Sequence, residues 1–276
     1  MQSNGRPLLL LHPDPVLRDI VRRAAARDFE VASLDRWSVL RAYVEEQAPS
    51  ALVLVDPYLG AREGEGPSPA LREFLRDFPF VTVIAALRTG PARYEDVLVL
   101  GKWGIHEVIS LEQEQTSEAV AQRLRQASTR LSEALLRGVL DVIPNALGRH
   151  ILTRAVEHAA RRGPAEDLAA EMKVSRRTLL RWCEAEFLPP PRRLLAWIRV
   201  LMAAHMLQDP RRPVSAIAHL SGYPSDKALR TTLQTFLGKT PRELREGAAY
   251  HAAANAFRQE LVELRQHRAA EDQGSP

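Results

Sequence analysis

A chain of 276 residues is long for one compact domain and comfortable for two. With 45% hydrophobic and 26% charged residues it has the composition of a soluble globular protein, which excludes a disordered or fibrous chain. The net charge of +4 conceals a division: residues 1–116 hold 13 Lys+Arg against 17 Asp+Glu, whereas residues 147–247 hold 18 against 10. The basic part is the candidate polyanion binder. No run approaches the ~20 consecutive apolar residues of a membrane helix, and Leu8–Leu11 is too short for a signal peptide, so a cytoplasmic protein with no membrane partner is expected. The single cysteine, Cys183, excludes an internal disulfide and any cysteine-rich zinc site.

The first 116 residues alternate short apolar runs with amphipathic stretches, the pattern of a parallel sheet covered by helices. The predicted strands are Leu8–Leu11, Glu30–Ser33, Ala51–Val55, Val81–Leu87 and Glu107–Ile109. Helices are predicted to begin near Pro15, Trp37, Pro69 and Tyr94, and Gly60–Pro67 reads as an exposed loop. Five such βα units predict a flavodoxin-like domain. From Ser117 to about Leu140, apolar Val120, Leu124, Ala127, Leu131 and Ala134 recur at steps of four and three. That spacing suits a coiled-coil dimerisation seam and equally a last helix packed on its own domain. Pro144, Asn145 and Gly148 mark a linker or turn, and a new helix is predicted from Arg149 to Arg162.

Gly163-Pro164 separates that helix from a short one with apolar Leu168, Ala169 and Met172. Lys173-Val174 make a turn, and Ser175 can cap the next helix by accepting a backbone N–H. Along that helix Leu179, Trp182, Cys183 and Phe187 share one face, which leaves Arg176, Arg177, Leu180, Arg181 and Glu184 on the other. Arginine's planar fork fits a phosphate or the O6 and N7 of guanine, so such a face can anchor on DNA and read it. Cys183 and Trp182, at inward positions, read as core.

The arrangement recurs after a longer apolar helix, Arg192–Leu207, which reads as a buried connector. Val214, Ile217 and Ala218 make the short helix, Gly222 suits the turn, and Ser225 or Asp226 can cap the second helix of the pair. Leu229, Leu233, Phe236 and Leu237 then face inward, with Lys227, Arg230, Thr231 and Gln234 outward. Thr240-Pro241-Arg242-Glu243 fits a capping box, a helix start whose backbone N–H groups can also face a phosphate, with Thr240 as a candidate DNA contact. After Gly247 a further helix with Phe257, Leu261 and Leu264 leads into a tail, Ala269–Pro276, that reads as frayed.

Ala165–Arg245 resembles the DNA-binding domain of AraC-type transcription regulators. The resemblance rests on Leu168-Ala169, Val174-Ser175, Leu179, Arg181, Arg199-Val200, Ala203, Leu207, Ile217-Ala218, Gly222-Tyr223, Leu237-Gly238, Thr240-Pro241 and Arg245. It implies two recognition helices in successive major grooves, about 34 Å apart, with Arg181 at a base-reading position. The chain departs from the family pattern at Lys173, which replaces a frequent turn glycine, and at Thr231 and Gln234-Thr235, which stand where basic residues are usual. The second half is therefore expected to grip DNA more weakly than the first.

The first 116 residues resemble, more loosely, the receiver domain of response regulators. Asp56, after the strand ending at Val55, takes the place of the phosphoacceptor aspartate. Most of the rest of the phosphoryl-transfer equipment is missing. His12-Pro13 fill the acidic-pair positions beside Asp14, Ala86-Leu87 the hydroxyl position, and Ser110-Leu111 the lysine region.

The expected architecture is α/β plus all-α: a flavodoxin-like (βα)5 receiver-like domain (1–116), a connecting and dimerisation helix with linker (117–146), an all-helical domain with two helix-turn-helix motifs (147–247), and a C-terminal helix and tail (248–276). The expected function is sequence-specific transcription regulation by a dimer on double-stranded DNA. The receiver-like domain would dimerise, contact a protein partner through residues 1–140, or sense a signal without phosphorylation. Three alternatives stay open at this point: control by phosphorylation of Asp56, a small ligand near Asp14, Asp56 and Arg88, and an interaction protein with weakened DNA binding that acts on another regulator. No enzyme, metal or cofactor is expected, because the eight histidines lack ligand spacing, no glycine-rich phosphate loop is present and Cys183 has no evident base.

Overall fold

The computed structural model describes residues 6–47, 51–62, 64–78, 81–105 and 107–273. The chain divides into two compact units, Met1–Arg130 and Leu131–Pro276.

The first unit alternates β1 (Arg6–Leu11), α1 (Pro15–Ala25), β2 (Phe29–Ser33), α2 (Trp37–Gln47), β3 (Leu52–Val55), α3 (Pro69–Asp77), β4 (Thr82–Leu87), α4 (Tyr94–Trp103), β5 (Glu107–Ser110) and the start of α5 (Ser117–Leu136). All strand pairs are parallel, in the order β2-β1-β3-β4-β5 that defines a flavodoxin-like sheet. Leu8–Leu11 and Leu52–Val55 are fully buried, as strands covered by helices on both faces must be. Local chemistry starts the helices: the Asp14 carboxylate accepts the Val16 N–H at 2.8 Å, and the Ser68 hydroxyl accepts that of Ala70 at 3.3 Å, each just ahead of a proline in the first turn.

In α5, Val120, Leu124 and Ala127 are fully buried in one cluster with Leu8, Leu10, Leu54, Ile84 and Ile109 of the sheet. Of the two readings of its three-and-four spacing, this part of the helix follows the packed one. The helix ends at Leu136, earlier than expected, and a single tight turn, Leu140–Val142, comes next.

The second unit is helical: α6 (Ala146–Ala160), α7 (Leu168–Glu171), α8 (Arg176–Ala185), α9 (Pro191–Met206), α10 (Val214–Leu220), α11 (Asp226–Leu237), α12 (Pro241–Arg245) and α13 (Ala249–Gln273). Helix α6 starts three residues before its predicted beginning, with Gly148 inside its first turn. A Cβ there would meet Ile143 at 2.9 Å, so the residue that reads as a breaker is a close-packing site. Helix α9 is the spine, with ten buried residues.

The C-terminal helix corrects the reading of the tail. Helix α13 continues to Gln273, through much of what the sequence suggests is frayed, while 274–276 lie outside the described residues. Phe257 stacks on Trp197 of α9 at 5.2 Å between ring centroids, and Phe236 of α11 meets the same indole edge-on at 4.7 Å. Among the described residues no helix is long and apolar enough to cross a membrane.

Phe257→Ala should remove a fully buried ring from this stack and destabilise the second unit by about 3–5 kcal/mol. Hydrogen exchange read by mass spectrometry should show lost protection in α9 peptides and unchanged protection in β1 and β3.

Candidate nucleic-acid interface

Two copies of one device make the helical unit's exposed basic surface. In the first, Leu168 and Ala169 of α7 are buried, the Val174 N–H bonds back to the Ala169 carbonyl at 3.0 Å, and the Ser175 hydroxyl accepts the Thr178 N–H at 3.0 Å to start α8. In the second, the Tyr223 N–H bonds back to Ala218 at 2.8 Å, and the Ser225 hydroxyl accepts the Ala228 N–H at 3.2 Å to start α11. Both turns pass through a left-handed residue: Gly222 at φ 76° and Lys173 at φ 57°. Lysine at such a φ costs roughly 1 kcal/mol relative to glycine.

The amphipathic division read from the sequence is present on both recognition helices. On α8, Leu179 and Cys183 are buried and Trp182 half-buried, whereas Arg176, Arg177, Leu180, Arg181 and Glu184 are exposed; Phe187, expected along the same helix, lies past its end at Ala185, half-buried and at φ 56°. On α11, Leu229 and Leu233 are buried, and Lys227, Arg230, Thr231 and Gln234 are exposed. Thr240 is exposed at the start of α12 within a reciprocal capping box: its hydroxyl accepts the Glu243 N–H, and Glu243 accepts the Thr240 N–H at 2.7 Å. Burial pushes the Cys183 thiol up to about 12, so the residue is inert core inside a surface helix.

Polar contacts fix the ends of these helices. An Arg199 N–H of α9 reaches the Gly163 carbonyl at 2.8 Å, and Arg245 of α12 donates to the carbonyls of Pro210 and Arg212. Ahead of α7, the buried His158 ring places its nitrogens 2.8 Å from Glu171 Oε1 and 2.8 Å from the Pro164 carbonyl. The ring occupies the space that a Cβ on Gly163 would need, at 2.3 Å, so only glycine fits there. Burial opposes ionisation of Glu171, but the His158 hydrogen bond and the Arg161 cation outweigh it and hold the carboxyl below the usual carboxylate range.

Sequence reasoning missed the part played by α13. Glu260 receives two hydrogen bonds from the Arg193 guanidinium, at 2.6 and 2.7 Å, and one from the Trp197 indole at 2.9 Å. Arg265 lies over the Phe187 ring at 5.6 Å, and Arg268 donates to the Glu184 carbonyl at the end of α8. No local pattern announces contacts between residues some 67 and 84 positions apart.

In the first unit, Asp56 and His12 stand at the carboxyl ends of β3 and β1, where the strand order switches direction. The Asp56 carboxylate accepts the Tyr58 N–H at 2.9 Å. His12 is buried; burial lowers its pKa, against the pull of the Asp56 charge. Asp14 spends its carboxylate on capping α1. Around β5 the Thr89 and Ser110 hydroxyls meet at 2.8 Å, and the Glu114 carboxylate accepts the Ser110 N–H at 2.9 Å while pairing with Arg123. Arg88 is exposed. Among the described residues, no three His, Cys, Asp or Glu side chains gather as metal ligands.

Residues 168–247 match the family model described as a helix-turn-helix domain. No curated protein matches the chain. Among solved structures the chain is similar to full-length FixJ from B. japonicum, at 14% identity and a TM-score of 0.38, over 70% of this chain and 96% of that one. The matched family segment stops two residues before α13 begins.

Glu171→Gln should weaken the second unit at neutral pH. Because the folded pKa is depressed, the carboxylate's stabilisation is complete above about 4.3 and lost as pH falls through the lower folded value. The stability gap between wild type and variant, from urea titrations, should therefore shrink below about pH 4, and a gap independent of pH would refute the assignment.

Proposed function

We propose, on the premise that residues 168–247 are a helix-turn-helix domain of the AraC type, that the chain is a sequence-specific, dimeric transcription regulator whose first unit works without phosphorylation. The observation that carries this reading is the exposed face of α8, where Arg176, Arg177 and Arg181 stand outward on a capped helix. Guanidinium forks in that setting bind phosphates and the guanine edge in the major groove. The α11 face, with Lys227, Arg230, Thr231 and Gln234, carries less charge and supplies less of the reading. Thr240, at the N-terminus of α12, would reach a backbone phosphate only by giving up the hydrogen bonds that its N–H and hydroxyl make to Glu243.

The surroundings of Asp56 support phosphorylation independence. Transfer to an aspartate needs a divalent cation to draw charge from the phosphoryl group. Here the neighbouring positions hold a buried histidine with a lowered pKa and an aspartate committed to a helix cap. For dimerisation, one exposed apolar surface among the described residues of the first unit is α4, where Tyr94 and Leu98, four residues apart, are 73% and 61% exposed. A second copy meeting this face would double the phosphate contacts and match a two-part site.

Sites selected from fragmented genomic DNA with the full chain test the reading. A preferred sequence should emerge, whereas affinity that falls with salt and shows no preference at any salt would sink it. On the selected site Arg181→Ala should cost about tenfold to a hundredfold, and Arg230→Ala less. The opposite ranking would reverse the roles of the two halves. Incubation with a small phosphodonor and magnesium should leave the intact mass unchanged; phosphate on wild type but not on Asp56→Asn would establish phosphorylation control. Leu98→Glu should shift sedimentation toward the monomer, and an unchanged sedimentation coefficient would place any dimer contact elsewhere.

A further inference from the structure

The outward face of α8 has one member that charge does not explain. Leu180 is 38% exposed and, among the described residues, is the one exposed large hydrophobic of the second unit; the others, such as Val16, Tyr43 and Tyr94, lie in the first. It stands one helical turn beyond Arg176 and Arg177, beside Arg181 and one turn ahead of Glu184, so charged side chains surround it on the helix surface. Leu180 is itself one wall of a mostly apolar cleft of about 260 Å³, with Ala169, Leu179, Pro190 and Pro191, which Glu166, Arg176 and Arg192 also line. The apolar surface of Leu180 is thus continuous with a patch that water wets poorly, in the middle of a face otherwise built for polar contacts.

A leucine can neither donate nor accept a hydrogen bond. Every base presents polar groups in the major groove that leucine cannot pair, and thymine alone adds a methyl, the 5-methyl beside its O4, that leucine can cover. We infer that Leu180 is a specificity-determining residue that selects thymine through its 5-methyl group, next to the base or phosphate held by Arg181. This rests on the reading of α8 as a recognition helix and adds to it the identity of one base and the chemistry that selects it.

The test uses the full chain and the duplex selected from genomic fragments, in which each thymine in turn is replaced by uracil. That change removes the methyl and leaves every hydrogen-bonding group in place. Wild type should lose about fourfold in affinity at one thymine, the value of one methyl removed from water. Leu180→Ala should bind the parent site more weakly and lose its sensitivity to uracil at that position, while its response at the other thymines matches wild type. Leu180→Gln, reselected on random duplexes, should exchange thymine for adenine there, since a glutamine amide pairs with the adenine N6 and N7. A preferred site at which no uracil replacement matters, or at which Leu180→Ala stays as sensitive as wild type, would overturn the inference and leave the DNA-binding reading standing. Failure to select any preferred site would overturn both.

Discussion

The helical unit depends on the carboxylate of Glu260. Three donors from α9, two on Arg193 and one on Trp197, converge on it, and the Trp197 ring lies between Phe257 and Phe236. Both short recognition pairs lean on α9, which is too short to enclose its ten buried side chains by itself. Helix α13 closes that core, and the fork at Glu260 sets its register, because two parallel N–H···O bonds tolerate little sliding. The partial exposure of Arg193 limits the direct electrostatic gain, so the pair acts chiefly by alignment and the aromatic stack supplies most of the energy.

The first unit draws its stability and the polar groups at the edge of its sheet from different residues. Its stability resides in fully buried strands such as Leu8–Leu11 and Leu52–Val55, and in Val120, Leu124 and Ala127 of α5, which close one face. None of these groups is among the polar side chains, His12, Asp14 and Asp56, at the carboxyl edge of the sheet. At that edge His12 is buried, Asp14 caps a helix and Glu114 is docked on β5, so each polar group already satisfies a local demand. Fold and site are separable because they draw on different residues.

This separation also explains which features the sequence made legible. The four helix starts at Pro15, Trp37, Pro69 and Tyr94 were readable, and so were the Ser175 and Ser225 caps, because strand runs and capping residues act within a few positions. So were the outward faces of α8 and α11, which helical periodicity dictates once the caps are placed. The role of α5 was ambiguous, since a spacing of three and four serves an intramolecular core as well as a seam between chains. The support from α13 was invisible, because Glu260 and Arg193 become partners only after the chain has folded. Gly148 misled for a related reason: its value is the absence of a side chain beside Ile143, which no local pattern records.

The two halves reach one geometry by different means. In the second, the turn and the end of the recognition helix use Gly222 and Gly238, both at positive φ and without the penalty a side chain imposes. In the first, the matching places are Lys173 at φ 57° and Phe187 at φ 56°, each of which costs roughly 1 kcal/mol. Conformations of that kind persist only where tertiary contacts enforce them, and such contacts flank both. Before the first turn, α7 is tied down by Glu171 to His158 and Arg161 of α6 and its end; after α8, Phe187 is covered by Arg265, and Arg268 holds the Glu184 carbonyl. Those partners all lie outside the matched segment 168–247, on α6, on α13 and at the residue just past the end of α6. The second half therefore places glycine at both of its left-handed positions, whereas the arginine-rich first half depends on its neighbours to hold the same conformations. A perturbation of α6, which packs on α7 and α8, reaches the more heavily charged recognition helix first, whereas α13 packs on α9, α11 and α12.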